Sequence, residues 1–213
     1  MPGEPHDTPP KARFLNSVVW GTLSVAIAGP AFLWALDNYL DNGSKTVRYS
    51  GEADIRSEFS LIDHTGREVT QADYADRWQL AFFGFTNCPD ICPTTLAYMA
   101  NVMDLLGEDA DRVAPIFITV DPARDTVPVM AEYVSAFHPS LIGLTGTEAQ
   151  VAEAAKNFRA WYERTEDDAA PDGYMMAHAG YIYLMQPSGE FEAVYQESDQ
   201  PPEVLARRIR ARL

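Results

Sequence analysis

The feature that most limits what this chain can become is an unbroken stretch of 23 residues, Phe14 to Leu36, without one formal charge. As an α-helix it would extend roughly 35 Å, longer than the ~30 Å hydrocarbon core of a bilayer. Lys11 and Arg13 precede it and Asp37 follows, so the expectation is a single N-terminal transmembrane anchor. A cleaved signal peptide is the rival, because Ala26-Ile27-Ala28 resembles a cleavage site, but the apolar run continues past it through Phe32-Leu33-Trp34-Ala35-Leu36. Basic residues flank the run on both sides, with Lys45, Arg48 and Arg56 opposing Lys11 and Arg13, so charge alone does not orient it. The reading is a tail over 1–13, an anchor over 14–36, a polar linker over 37–55 and a folded domain over 56–213.

Beyond the anchor the chain has the makings of a real core, since 46% of its residues are hydrophobic. Acidic residues outnumber basic ones 31 to 16, for a formal net charge of −15. That balance repels phosphate backbones and excludes a general nucleic-acid binder, whereas a cationic partner fits. Two cysteines are too few to staple a domain of this size, so their closeness points to local chemistry.

Apolar patterning places alternating strands and helices along the domain. Phe59 to Ile62 leads into the turn Asp63-His64-Thr65-Gly66, and Gln79 to Phe85 reads as a buried central strand. Pro93 to Leu106 carries a helical stripe that Gly107 can end, and Val113 to Val120 is a second buried strand. A helix is expected from Asp125 or Thr126 to about Phe137, then a short strand at Leu141 to Leu144. Thr147 and Gln150 have the form of a capping box that opens a helix reaching about Trp161. Strands Tyr181 to Met185 and Phe191 to Tyr195 flank the turn Pro187-Ser188-Gly189-Glu190, with a last helix after Pro201-Pro202. This order predicts a thioredoxin-like three-layer α/β sandwich behind the transmembrane helix.

The chemistry concentrates in Gly84-Phe85-Thr86-Asn87-Cys88-Pro89-Asp90-Ile91-Cys92-Pro93, a strand–loop–helix junction. Ligands of open α/β sheets bind at this end of the strands, and a helix N-terminus lowers thiol pKa toward the thiolate that binds metal or attacks disulfides. If the segment is helical, a spacing of four puts Cys88 and Cys92 on one face. An inert disulfide across so short a loop would add only about 2 kcal/mol, which leaves a metal site or a redox pair as the functional readings.

The loop at 84–93, together with Val120-Asp121-Pro122-Ala123-Arg124-Asp125-Thr126 and the late His178 before Tyr181-Ile182-Tyr183-Leu184-Met185, resembles the Sco/SenC family of copper-binding proteins. The likeness covers residues 56–213. It implies a membrane-tethered copper metallochaperone for cytochrome c oxidase assembly, with Cys88, Cys92 and His178 as metal ligands and no catalytic residue. Two soft thiolates with one imidazole suit Cu(I), accommodate Cu(II), and leave a position open for transfer. Expected partners are subunit II of the oxidase and a thiol reductant or another copper chaperone. The expected location is the periplasmic face of a bacterial inner membrane, or the intermembrane-space face in a mitochondrion.

The runner-up is a membrane-anchored thiol–disulfide oxidoreductase using Cys88 and Cys92 as a redox disulfide. Three residues separate these cysteines, where thioredoxins have two. His178 departs from the family pattern: Ala177 and Ala179 flank it where an acidic and a hydroxyl residue are usual. That weakens the expected support of its imidazole. Asp121 is a candidate for supporting the site, against a simpler role in bracing its loop with Arg124 and Asp125. Met175 and Met176 are read as packing residues rather than thioether ligands, and the acidic stretch at 166–168 with Asp172 as a solvated loop. His6, His64 and His138 carry no functional reading.

Overall fold

The computed structural model describes residues 55–213, so the expected tail, anchor and linker, with His6, lie outside the described residues. No helix among the described residues is long and apolar enough to cross a membrane. Strands β1 (Ser60–Asp63), β2 (Glu68–Thr70), β3 (Trp78–Gly84), β4 (Val113–Thr119), β5 (Ile142–Thr145), β8 (Ile182–Met185) and β9 (Phe191–Tyr195) make one sheet in the order β2-β1-β5-β4-β3-β8-β9. A separate two-stranded ladder pairs β6 (Tyr162–Glu166) with β7 (Tyr174–His178). Four helices complete the domain: α1 (Ile91–Leu106), α2 (Val127–Ser135), α3 (Glu148–Phe158) and α4 (Pro202–Arg210).

Every residue of β4 is buried, and β3 is buried from Gln79 onward, as expected of central parallel strands covered on both faces. The chain steps from β3 to β4 to β5 in one direction, and right-handed crossovers then put α1 and α2 on the same face. Contacts agree with this: the Phe117 ring of β4 meets Tyr133 of α2 at 5.7 Å, and Cys92 of α1 lies over Gly84 of β3. Helix α4 packs on α1 with Leu205, Ala206 and Ile209 buried. On the opposite face Phe83 and Tyr183 pack edge-on against Phe158 of α3 at 5.2 and 5.7 Å. Helices, sheet and helix are the three layers of the expected thioredoxin-like sandwich.

Several local expectations shift. Helix α1 begins at Ile91 rather than Pro93, because a proline in the first turn forfeits only an N–H that has no intrahelical partner there. The Thr147–Gln150 capping box forms, with Gln150 N–H on Thr147 Oγ1 at 3.2 Å, but α3 stops at Phe158 rather than Trp161. Arg159 takes the left-handed conformation (φ 55°) and turns the chain into β6. The acidic residues Asp167, Asp168 and Asp172 lie in an exposed loop as expected, with Glu166 ending the strand before it; that loop is the tip of a hairpin in which Tyr162 to Glu166 pairs residue for residue with Tyr174 to His178. Its first strand, Tyr-Glu-Arg-Thr-Glu, is mostly exposed and has no apolar alternation to betray it.

Candidate metal centre

Strand β3 delivers the chain to the site and Gly84 sets the clearance. A Cβ on Gly84 would sit 2.7 Å from Cys92 Sγ and 2.9 Å from Phe117 Cε2, so the glycine is what lets the sulfur lie against the sheet. Asp125 then fixes the loop. Fully buried, its carboxylate accepts the Thr86 N–H at 3.0 Å, the Thr86 hydroxyl at 2.6 Å and the Thr119 hydroxyl at 2.5 Å. Burial raises the Asp125 pKa, opposed by these same hydrogen bonds.

The two cysteines do not share a helical face, because Cys88 lies in the loop before α1 while Cys92 is in its first turn. They meet because Cys88 Sγ turns back over the helix start and accepts the Cys92 N–H at 3.4 Å. Asp90, at the N-cap, makes no side-chain capping bond, so the Cys88 sulfur supplies an acceptor to the exposed N–H groups there. Neither cysteine is in a disulfide. The Cys88 thiol is brought down to about 4, first by the Cys92 thiol donating to it and then against the cost of burial. Burial pushes the fully buried Cys92 thiol far up, and the adjacent Cys88 sulfur adds to that. One thiolate and one thiol therefore face each other near neutral pH.

His178 comes from the far end of the sequence. It is the last residue of β7, rather than a loop residue, and its ring stands edge-on to Phe82 and Phe85 with centroids 5.8 Å away in each case. His178 Nε2 lies 3.2 Å from Cys92 Sγ, and Nδ1 lies 3.2 Å from the Ala179 carbonyl oxygen. A carbonyl only accepts, so Nδ1 carries the proton. Nε2 is then the ring nitrogen turned toward the sulfurs, the orientation a metal ligand needs. The backbone carbonyl thus supplies the support that the missing acidic and hydroxyl neighbours would otherwise give.

The ligand atoms of Cys88, Cys92 and His178 all lie within 4.8 Å of one another, close enough to hold a metal ion. Bonds of roughly 2.0–2.3 Å to nitrogen and sulfur leave two donors on one ion up to about 4.6 Å apart, so the cluster closes on an ion with small side-chain movement. Among the described residues no other group of three histidine, cysteine or carboxylate donors gathers in this way.

A family model described as SCO1/SenC matches residues 47–213. The chain belongs to the SCO1/SenC family. A mouse protein named SCO2 homolog, mitochondrial, is 44% identical over 161 residues, which cover 73% of this chain and 63% of the mouse protein. The chain therefore spans under two thirds of that relative. Among solved structures, Bradyrhizobium japonicum ScoI with copper bound is 37% identical with a TM-score of 0.70, covering 75% of this chain and 99% of that one. Arabidopsis thaliana ScoI with copper bound is 39% identical with a TM-score of 0.67, covering 73% and 95%. These SCO1/SenC neighbours carry copper on the same thioredoxin-like fold.

The remaining candidates fall elsewhere in this SCO1/SenC domain. Asp121 is buried and bonds to Arg124, Tyr174 and Thr119 rather than to any of the three donors. Met175 and Met176 pack against the core. His64 Nδ1 accepts the Gly143 N–H at 3.1 Å, and His138 bonds Ser140 and faces Asp104 at 3.4 Å. Sequence reasoning missed Phe82 and Phe85, which frame His178, because a buried strand advertises its aromatics only as core. It also passed over Gly180, although a glycine just past the histidine was a signal. A Cβ there would lie 2.5 Å from Ile91 Cδ1, so Gly180 lets the chain after the histidine lie against the start of α1.

Proposed function

We propose that this chain is a copper metallochaperone that accepts a copper ion between Cys88, Cys92 and His178 and hands it to the binuclear copper centre of cytochrome c oxidase subunit II. The observation that carries the reading is the 3.2 Å approach of His178 Nε2 to Cys92 Sγ, beside a second cysteine that already favours the thiolate. Thiolates and an imidazole suit copper in either oxidation state, Cu(I) above all. Three donors on a partly exposed site leave a coordination position for a recipient's ligand, so the ion passes without entering water. Copper in the Bradyrhizobium and Arabidopsis relatives supports the choice of metal. The oxidase as recipient rests on the family resemblance.

On this reading residues 14–36 anchor the chain in a bilayer and 37–55 lift the domain to the periplasmic or intermembrane-space face. A thiol reductant or another chaperone supplies reduced sulfur or copper. Loading the reduced full chain in detergent with Cu(I) is expected to give one ion per chain, with Cys88→Ser, Cys92→Ser and His178→Ala each sharply weakening retention. Full retention by all three variants would end the reading.

The second reading, thiol–disulfide exchange, is favoured by the depressed Cys88 pKa beside the thiol of Cys92. Cys88 thiolate would attack a partner disulfide and release one partner thiolate. Cys92, losing its proton, would then attack Cys88, leaving a Cys88–Cys92 disulfide and a reduced partner. This chemistry needs no ligand at His178, whose hydrogen bond only adds to the lowering of the Cys88 pKa, so restoration of oxidase assembly by His178→Ala at the normal level would select it.

A further inference from the structure

The strand that ends in His178 belongs to the small β6–β7 ladder and not to the seven-stranded sheet. The position of the imidazole is therefore set by how that hairpin is attached to the domain. Tyr174, the first residue of β7, is buried, and its hydroxyl donates to Asp121 Oδ1 at 2.9 Å. Arg124 Nε donates to the other Asp121 oxygen, and Arg124 Nη1 donates to the Tyr174 carbonyl at 3.3 Å. Arg124 and Arg164 have their guanidinium carbons 3.9 and 3.7 Å from the Tyr174 ring centroid. Two such groups would collide on one face, so they sandwich the ring. One guanidinium comes from the β4–α2 loop and the other from β6.

The base of this arrangement is tied to the loop that carries the cysteines. Asp121 N–H donates to Thr119 Oγ1 at 2.9 Å, Thr119 donates to Asp125, and Asp125 holds both the N–H and hydroxyl of Thr86. Arg124 also lies 5.9 Å from the Phe85 ring, which frames His178 from the side. Strand alternation puts Tyr174, Met176 and His178 on one face of the hairpin, with Tyr174 and His178 roughly 13 Å apart along the strand. Tyr174 pins one end of β7, and the other end presents the imidazole.

We propose that Asp121, Arg124 and Tyr174 form a latch that seats the β6–β7 hairpin on the domain and so keeps His178 within reach of Cys92. They are positioning residues that act on the metal centre through the hairpin rather than as donors. This assigns Asp121 a definite partner and route. It rests on the copper reading only where copper is used to read it out.

The test uses the full chain in detergent with Asp121→Asn and Tyr174→Phe; the second removes a single oxygen and leaves the ring between its guanidiniums. In metal-free protein, amide exchange at residues 175–178 is expected to quicken roughly tenfold or more for Asp121→Asn, while exchange in α1 is unchanged. Competition for Cu(I) against a chelator is expected to show retention weakened about 10- to 100-fold. The deciding arm is a double-mutant cycle: in a His178→Ala background Asp121→Asn should cost no further copper retention, because the group it positions is gone. Equal weakening with and without His178, or unchanged exchange at 175–178 in both variants, would overturn the latch. Quickened exchange in a chain that takes up no copper at all would uphold the latch and remove the copper reading.

Discussion

Replacing Gly84 with alanine asks whether the clearance over β3 belongs to the site or merely to the fold. The added Cβ would meet Cys92 Sγ at 2.7 Å, Phe117 Cε2 at 2.9 Å and Phe82 Cε1 at 3.1 Å, all inside the ~3.5–4.0 Å of comfortable contact. Relief requires the sulfur or the rings to retreat by the better part of an ångström. Overpacking of this kind costs roughly 1–3 kcal/mol, a factor of about 5 to 150 in the folded-to-unfolded ratio. The Cys92 sulfur is the smallest of the three groups in the way, so it is expected to move and lose its register with His178. The matched control is Gly143→Ala, whose Cβ meets Val134 Cγ1 at 2.9 Å and Met130 Cε at 3.1 Å. Urea unfolding of metal-free protein should show both variants destabilised by similar amounts. Cu(I) competition should show at least a roughly tenfold loss for Gly84→Ala and little loss for Gly143→Ala. Equal copper loss in both, or none in Gly84→Ala despite destabilisation, would refute the claim that this glycine sets the donor geometry.

Asp125→Ala strands three donors, the Thr86 N–H and the hydroxyls of Thr86 and Thr119, and is expected to cost roughly 3 kcal/mol or more; an unchanged denaturation midpoint contradicts this. In the metal-free chain iodoacetamide should label Cys88 at a rate nearly flat from pH 6 to 8, since its thiol is already ionised well above about 4, and should spare Cys92. A labelling rate rising tenfold per pH unit across that range would show an ordinary thiol. By the same linkage, a thiolate with a depressed folded pKa contributes stability that is complete above the unfolded thiol pKa. That contribution is lost as pH falls toward about 4, so Cys88→Ser should flatten the acid side of the stability curve. Copper at a thousandfold excess over its dissociation constant should stabilise the chain by about 4 kcal/mol, and His178→Ala should remove most of the accompanying rise in Tm.

Much of this protein is legible without coordinates because its determinants are local. Strands β3 and β4 announce themselves as unbroken apolar runs, α3 by its capping box, and the cysteine loop by residues packed into ten positions. A pairing that depends only on neighbours along the chain leaves its mark there. Strand β6 leaves none, because an exposed two-stranded ladder is held by backbone hydrogen bonds that any side chain permits. Its absence from the sequence reading hid the element that carries His178.

Sequence by itself determined the α/β class, the placing of two cysteines in one strand–loop–helix junction, and the apolar run that the anchor reading rests on. Tertiary structure decided where His178 stands relative to those cysteines. His178 lies 86 positions from Cys92, and nothing near either residue encodes a 3.2 Å approach. Only packing accomplishes it. Gly84 makes room for the sulfur, Phe82 and Phe85 frame the ring, and the grip of Asp121 and Arg124 on Tyr174 ties the strand down, so the distance is a property of the fold as a whole.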